Sequence, residues 1–297
     1  MLGVVAYGLW GLFPIYFALL DDVSPIQVVA DRVVWSLLFL VILTTITRNW
    51  ARSWAAARSA RTVVMLGIAA CFLAVNWGTY VYAVSTDQVV QASLGYFLNP
   101  LVSVGLGVVF LRERLRGLHW AAVGLAIIAV AILTVSYGTI PWISLILAVS
   151  FGIYGLLKKQ AGADAVESLT IETAVLAPLA IVIIAWGILH GSSGYTSQGS
   201  STVVLLILLG PVTAIPLLLF GGAAVRIPLS TLGLLQYITP VFQFLLGVFY
   251  FDETMTATRW LGFLVVWLCL VLVSIDALRQ ARRGRTATLE RELVEPD

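Results

Sequence analysis

"ASLGYFLNPLVSVGLGVVFLRERL", residues 92–115, returns in altered form as "STLGLLQYITPVFQFLLGVFYFDETM", residues 230–255. A shift of 140 positions lays Pro100 on Pro240, Leu106-Gly107-Val108 on Leu246-Gly247-Val248, Glu113 on Glu253 and Trp120 on Trp260. Upstream of the prolines a shift of 138 lays Leu94-Gly95 on Leu232-Gly233. Identity is sparse, but spacing and chemical type recur, as they do when one old unit is used twice.

Composition names the solvent. The chain is 60% hydrophobic and 11% charged, against roughly 25% charged in an average soluble domain. Ten apolar runs follow one another, at 3–20, 25–46, 62–84, 89–111, 117–136, 141–157, 168–189, 202–224, 228–251 and 256–278. Each is about long enough to cross ~30 Å of hydrocarbon as a helix, the sixth being the shortest. The expected fold is all-α and polytopic. Residues 1–136 and 141–278 form two five-helix repeats around a central cavity, and residues 279–297 a polar cytoplasmic tail. The first run reads as a span rather than a cleaved leader, because no basic segment precedes it and "FALLDDVSP" is a poor cleavage site. The chain begins almost inside that run, so a few further residues are expected upstream. Cys71 and Cys269 stand singly in apolar runs and read as packing residues.

Cations give the orientation, because short cytoplasmic loops are rich in lysine and arginine. Arg48, Arg52, Arg58 and Arg61 lie between spans two and three, and Arg112, Arg114 and Arg116 between four and five. Lys158 and Lys159 follow span six, Arg226 follows span eight, and Arg279, Arg282, Arg283, Arg285 and Arg291 lie in the tail. All of these fall on one side, with only Arg259 in a loop on the other, so both termini are expected inside. Five spans is an odd number. The second repeat therefore enters the membrane inverted, with Glu113 cytoplasmic and Glu253 outside. Inverted repeats are typical of secondary transporters, because exchanging the roles of the halves gives inward- and outward-facing states.

A site is expected near the midplane, where helices are interrupted. Asn99-Pro100 lies near the centre of span four and Thr239-Pro240 at the matching place in span nine. Proline removes one helical hydrogen bond and clashes with the carbonyl four residues back. Polar residues that lipid would not welcome surround these breaks: Asn76, Gln91, Ser93, Asn99, Gln236, Thr239 and Gln243. Aromatics accompany them: Trp10, Tyr16, Trp77, Tyr80, Tyr96, Tyr154 and Tyr237. Aromatic faces supply contact area and a few amides supply orientation, a mixture that suits a small amphipathic ligand. The competing reading is helix–helix hydrogen bonding and interfacial belts. Asp31 and Arg32 lie about two turns into span two, and Glu172 about one turn into span seven. The offset of 140 matches Arg32 with Glu172, and the two are expected to interact, directly or through water or substrate, because Arg32 cannot rely on Asp31, its neighbour on the same helix. The chain contains no HExxH, GxSxG or Walker A motif and no His/Cys cluster. No metal, cofactor, nucleic-acid partner or enzymatic activity is expected.

Several stretches together resemble the RarD proteins. They are "RVVWS" at 32–36, "NWGTYVYAV" at 76–84, "QASLGYFLNPLVSVGLGVVFLRERL" at 91–115, "SFGIYGLLKK" at 150–159, "IET" at 171–173 and "LSTLGLLQYITP" at 229–240. The resemblance covers nearly the whole chain in unbroken order. RarD proteins are ten-helix transporters with two EamA domains, in the drug/metabolite transporter superfamily. The resemblance implies a bacterial inner-membrane permease for a small metabolite or drug, and an ion or substrate gradient is expected to drive it because the chain has no nucleotide site. That pattern usually has histidine before the arginine of "RVVWS", where this chain has Asp31. The alternatives from other classes are a membrane-embedded enzyme using Glu172 as acid or base, and a non-transporting receptor or scaffold.

Overall fold

In the computed structural model, residues 1–48, 50–111, 117–224, 235–272 and 274–275 are described. Their regular secondary structure is entirely helical. The first apolar run is split into α1 (Leu2–Gly11) and α2 (Phe13–Ala18), with Pro14 in the first turn of α2. Proline is tolerated there because that turn has no intrahelical partner for its N–H. Helix α3 (Pro25–Thr47) starts on Ser24, whose Oγ accepts the Gln27 N–H at 3.3 Å. A short helix, α4 (Trp50–Ala57), replaces the expected basic loop. It exposes Trp50 and Trp54 beside Arg52, as a helix lying in a membrane interface does.

Next come α5 (Ala60–Ser85), α6 (Val89–Leu111), α7 (Gly117–Tyr137), α8 (Trp142–Ala161) and α9 (Ala165–Leu189). A single turn, α10 (Gly194–Ser197), leads into α11 (Ser200–Ala224). The last two described helices are α12 (Ile238–Phe249) and α13 (Ala257–Leu272). Four segments are long and apolar enough to cross a membrane: Pro25–Thr47, Ala60–Ser85, Ala165–Leu189 and Ser200–Phe220. Six further apolar helical stretches are shorter, from Leu2–Ala18 to Ala257–Leu272. Large apolar side chains also cover the outside, among them Ile46, Val135, Leu179, Trp186, Leu189 and Phe249. So wide an apolar surface is sustainable only against lipid. The protein is a multi-pass membrane protein.

Pro100, Pro178, Pro211 and Pro216 lie inside helices. Pro240 differs, because α12 begins at Ile238 and the proline occupies its first turn. The segment before it, including Leu232-Gly233, lies outside the described residues. So do Glu113, its flanking arginines, Arg226, and the tail.

Helix α6 packs on α8 and α12, α5 on α8 and α9, α3 on α9 and α11, and α1 on α11 and α12. Glycine makes one of these approaches possible. A Cβ on Gly95 of α6 would sit 2.8 Å from the Ser144 carbonyl oxygen and 2.9 Å from Leu147 Cβ of α8. Ser144 Oγ closes the same seam by donating to the Gln91 carbonyl at 2.6 Å. Leu94 and Phe97 of α6, Leu133 of α7 and Phe263 of α13 share a second core beside this bundle.

Candidate functional site

The helices that pack pairwise leave a cavity of about 230 Å³ between them. Residues of α1, α2, α3, α5 and α6 line one part of it, and residues of α8, α9, α11 and α12 the other. Among the described residues, α7 and α13 contribute none.

Most of the residues singled out in the sequence meet here. Trp10, Arg32, Asn76, Trp77, Tyr80 and Tyr96 line the cavity from the N-terminal half, with Asn99 beside the proline of α6, which the helix passes without the expected interruption. Tyr154, Gln236, Thr239 and Pro240 line it from the C-terminal half. Their polar atoms are partly committed. Asn76 Nδ2 donates to the Leu147 carbonyl and to Ser150 Oγ, both at 3.0 Å. Thr239 Oγ1 donates to the Tyr7 carbonyl at 2.8 Å, tying α12 to α1. Other polar atoms have no partner among the described residues: Asn99 Oδ1, Tyr80 Oη and Gln243 Oε1 are all buried and unpaired. Buried polar atoms are normally satisfied, so a cluster of unmet ones around one cavity points to a polar occupant. Part of the wall is aromatic, with Tyr7 edge-on to Trp10 and to Phe220 and Trp10 tilted on Phe220, at 5.4–5.9 Å.

The charges take direct partners other than each other. Arg32 and Glu172 form no direct ion pair. Glu172 Oε1 lies 3.4 Å from Lys158 Nζ, and its Oε2 accepts the Tyr154 hydroxyl at 3.2 Å. Lys158 Nζ also donates to Tyr154 Oη at 2.6 Å, which closes a triad. The reason is local. Lys158 is one turn after Tyr154 on α8, and its stem reaches the cavity wall instead of leaving for the interface. Arg32 instead stacks on Trp77, with Cζ 4.0 Å from the ring centroid, and donates from Nε to Thr213 Oγ1 at 2.8 Å. Asp31 faces away, toward the connection after α9. Its Oδ1 accepts the Tyr195 hydroxyl at 2.6 Å and its Oδ2 the Gln27 amide at 3.3 Å.

Besides Asp31, six sequence-selected positions are not among the lining residues, and one of them, Tyr16, donates its hydroxyl to the Leu205 carbonyl at 2.6 Å. Ser93 donates to the Val90 carbonyl of its own helix at 2.8 Å, and Gln91 donates to Gln88 at 2.9 Å. Tyr237 packs against the second core, and Pro100 lies within α6 without lining the space. Glu172 acts behind the wall through Lys158 and Tyr154. Sequence reasoning missed Tyr7, Phe13, Phe220 and the role of Lys158 in this wall.

Apolar helices packed around a partly polar cavity fit a membrane transporter, and the comparisons with known proteins place the chain in that class. The model of the EamA-like transporter family matches residues 1–135. A crystal structure 19% identical, with a TM-score of 0.58 over 94% of this chain and 97% of its own, shares the fold.

Protein RarD of Streptomyces exfoliatus is 48% identical over 95% of this chain and 90% of its own length. An uncharacterized transporter of Pseudomonas aeruginosa is 40% identical over 95% of both chains. Protein RarD of Escherichia coli is 38% identical over 95% of this chain and 96% of its own. The chain belongs to the RarD subfamily of the EamA-like transporters.

Proposed function

We propose that the protein is a secondary transporter. It moves a small metabolite or drug-like molecule across the bacterial inner membrane by alternating access. Ten spans in two inverted five-helix repeats would flank the cavity, with both termini cytoplasmic. The observation that carries this reading is the cavity itself, lying between the two halves and edged by Asn99 Oδ1, Tyr80 Oη and Gln243 Oε1, which have no partners among the described residues.

The packing pattern supports the inverted repeat. Counting spans in each half, α1 is matched by α8, α3 by α9, α5 by α11, and α6 by α12. Under that exchange the α6–α8 contact becomes α12–α1, α5–α8 becomes α11–α1, and α3–α11 becomes α9–α5, and every one of these contacts is present. The α3–α9 and α6–α12 contacts map onto themselves. A structure with this symmetry can exchange the two packings, which is the physical requirement for a site that faces each side in turn.

The test is counterflow of labelled metabolites and antibiotics into proteoliposomes. A transported compound is expected, with flux lowered by Asn99→Ala and by Gln236→Ala while insertion is unchanged. Each substitution removes a polar group from the cavity wall and is expected to cost ~1–3 kcal/mol of binding. Chemical conversion of the compound without flux would instead favour an enzyme. Normal flux in both variants would move the site elsewhere.

A further inference from the structure

The cavity carries two cations and no acid. Arg32 and Lys158 are its charged lining residues, and among the described residues neither aspartate nor glutamate reaches its surface. Lys158 is neutralised from behind by Glu172 at 3.4 Å. Arg32 is not neutralised. It is 5% exposed, its sequence neighbour Asp31 is engaged by Tyr195 and Gln27, and no ion pair to it occurs among the described residues. A buried charge without a counter-charge is normally avoided.

The guanidinium is held in a defined plane. One face lies on Trp77, 4.0 Å from the ring centroid, and Nε is used by Thr213 Oγ1 at 2.8 Å. Phe13 and Phe17 lie 5.5 and 5.6 Å from Cζ, and among the described residues no acceptor takes the end-on edge, Nη1 with Nη2. Two parallel N–H donors at fixed spacing match the two oxygens of a carboxylate. Tyr80 Oη, buried and unpaired on the same cavity, can add a third donor. Trp77 and Tyr96 supply aromatic walls for the rest of the ligand.

We infer that the cargo is a small organic monoanion, a carboxylate with an aromatic or apolar body, whose charge is received by Arg32. This deepens the transport reading and rests on it for the anion's role as cargo. The net charge of the site is one, because the Lys158–Glu172 pair cancels itself, so monoanions should be preferred to dianions and to neutral molecules.

The experiment uses full-length protein in phosphatidylcholine nanodiscs, where no anionic lipid competes. Benzoate, phenylacetate and hexanoate are each compared with the matching neutral amide, and phenylphosphonate serves as dianion, by thermal stabilisation across a concentration series. At least one acid is expected to bind about 30-fold or more tighter than its amide, the scale of losing one partner of a buried charge pair. Arg32→Gln is expected to abolish that preference and Arg32→Lys to restore part of it. The acid–amide comparison needs no variant, so misfolding of Arg32→Gln leaves it standing. A panel in which no acid outdoes its amide overturns the proposal, as does equal acid preference in Arg32→Gln. Acid-selective stabilisation without flux in proteoliposomes keeps the anion site and overturns the transport reading. Flux without acid preference does the reverse.

Discussion

Two carboxylates carry the sharpest consequences at the level of single residues. Glu172 is 1% exposed, and Lys158 is its counter-charge. Breaking a buried pair from one side typically costs ~3–5 kcal/mol, and less here because Lys158 keeps some contact with water. Lys158→Met should therefore lower the thermal midpoint in detergent more than Lys158→Met/Glu172→Gln does. If the double variant is the less stable, Lys158 is not what keeps Glu172 tolerable. Glu253 lies outside the helices, and its carboxylate accepts the Val90 N–H at 3.0 and 3.2 Å. Burial pushes its pKa up to about 7 from 4.5, with Asp87 in the same direction and the Val90 and Val89 amides and Arg259 opposing. The folded state therefore holds this proton more tightly than the unfolded chain. The stability it contributes is full below pH ~4.5 and is lost as pH rises through about 7. Thermal midpoints measured from pH 5 to 8 should fall, and Glu253→Gln should flatten the fall. An unchanged slope in that variant would assign the pH dependence to another group. Asn76, Asn99 and Tyr154 were legible as residues of the cavity wall because polar and aromatic groups are costly in an apolar run. Ser93 has the same composition signal, yet it satisfies itself on its own helix. Lys158 at a helix end counts as a cytoplasmic marker in sequence, and only packing reveals its inward stem.

At the scale of elements, close approach between α6 and α8 decides how the halves meet. Gly95→Ala adds a carbon 2.8 Å from a backbone oxygen that cannot swing away. Overpacking of this kind costs ~1–3 kcal/mol. The expected result is a thermal midpoint lowered by roughly 2–4 °C per kcal/mol. A midpoint equal to that of the parent would mean that the two helices stand further apart than described. Glycine at 95 was visible in the repeat, but its partner was not, because a sequence gives no azimuth between helices. The same lack explains the Arg32 expectation. Its spacing to Glu172 across the repeat was readable, whereas Thr213 and Trp77 could be found only once α3, α5 and α11 were packed.

At the scale of the whole molecule, apolar run lengths made the helical membrane class legible directly, and the repeat of "LGYFLNP" by "LGLLQYITP" suggested two related halves. Less legible were the break between α1 and α2, the helix at Trp50–Ala57 and the start of α12 at Ile238. The first and the last lie inside apolar runs of uniform hydropathy, and the helix at Trp50–Ala57 lies in a basic connection that cation counting reads as a loop. Alternating access requires that one cavity be reached from both faces. Leu217 lines the cavity without being one of its polar groups, which makes it a suitable reporter. With Cys71 and Cys269 replaced by serine and alanine, Leu217→Cys should react with an impermeant maleimide added to right-side-out vesicles and also when added to inside-out vesicles. Arg58→Cys should react only from the cytoplasm and Asp252→Cys only from outside, which fixes sidedness and the inversion together. Labelling of Leu217→Cys from one face alone under every ligand and gradient, or of both control positions from the same face, would contradict alternating access through this cavity.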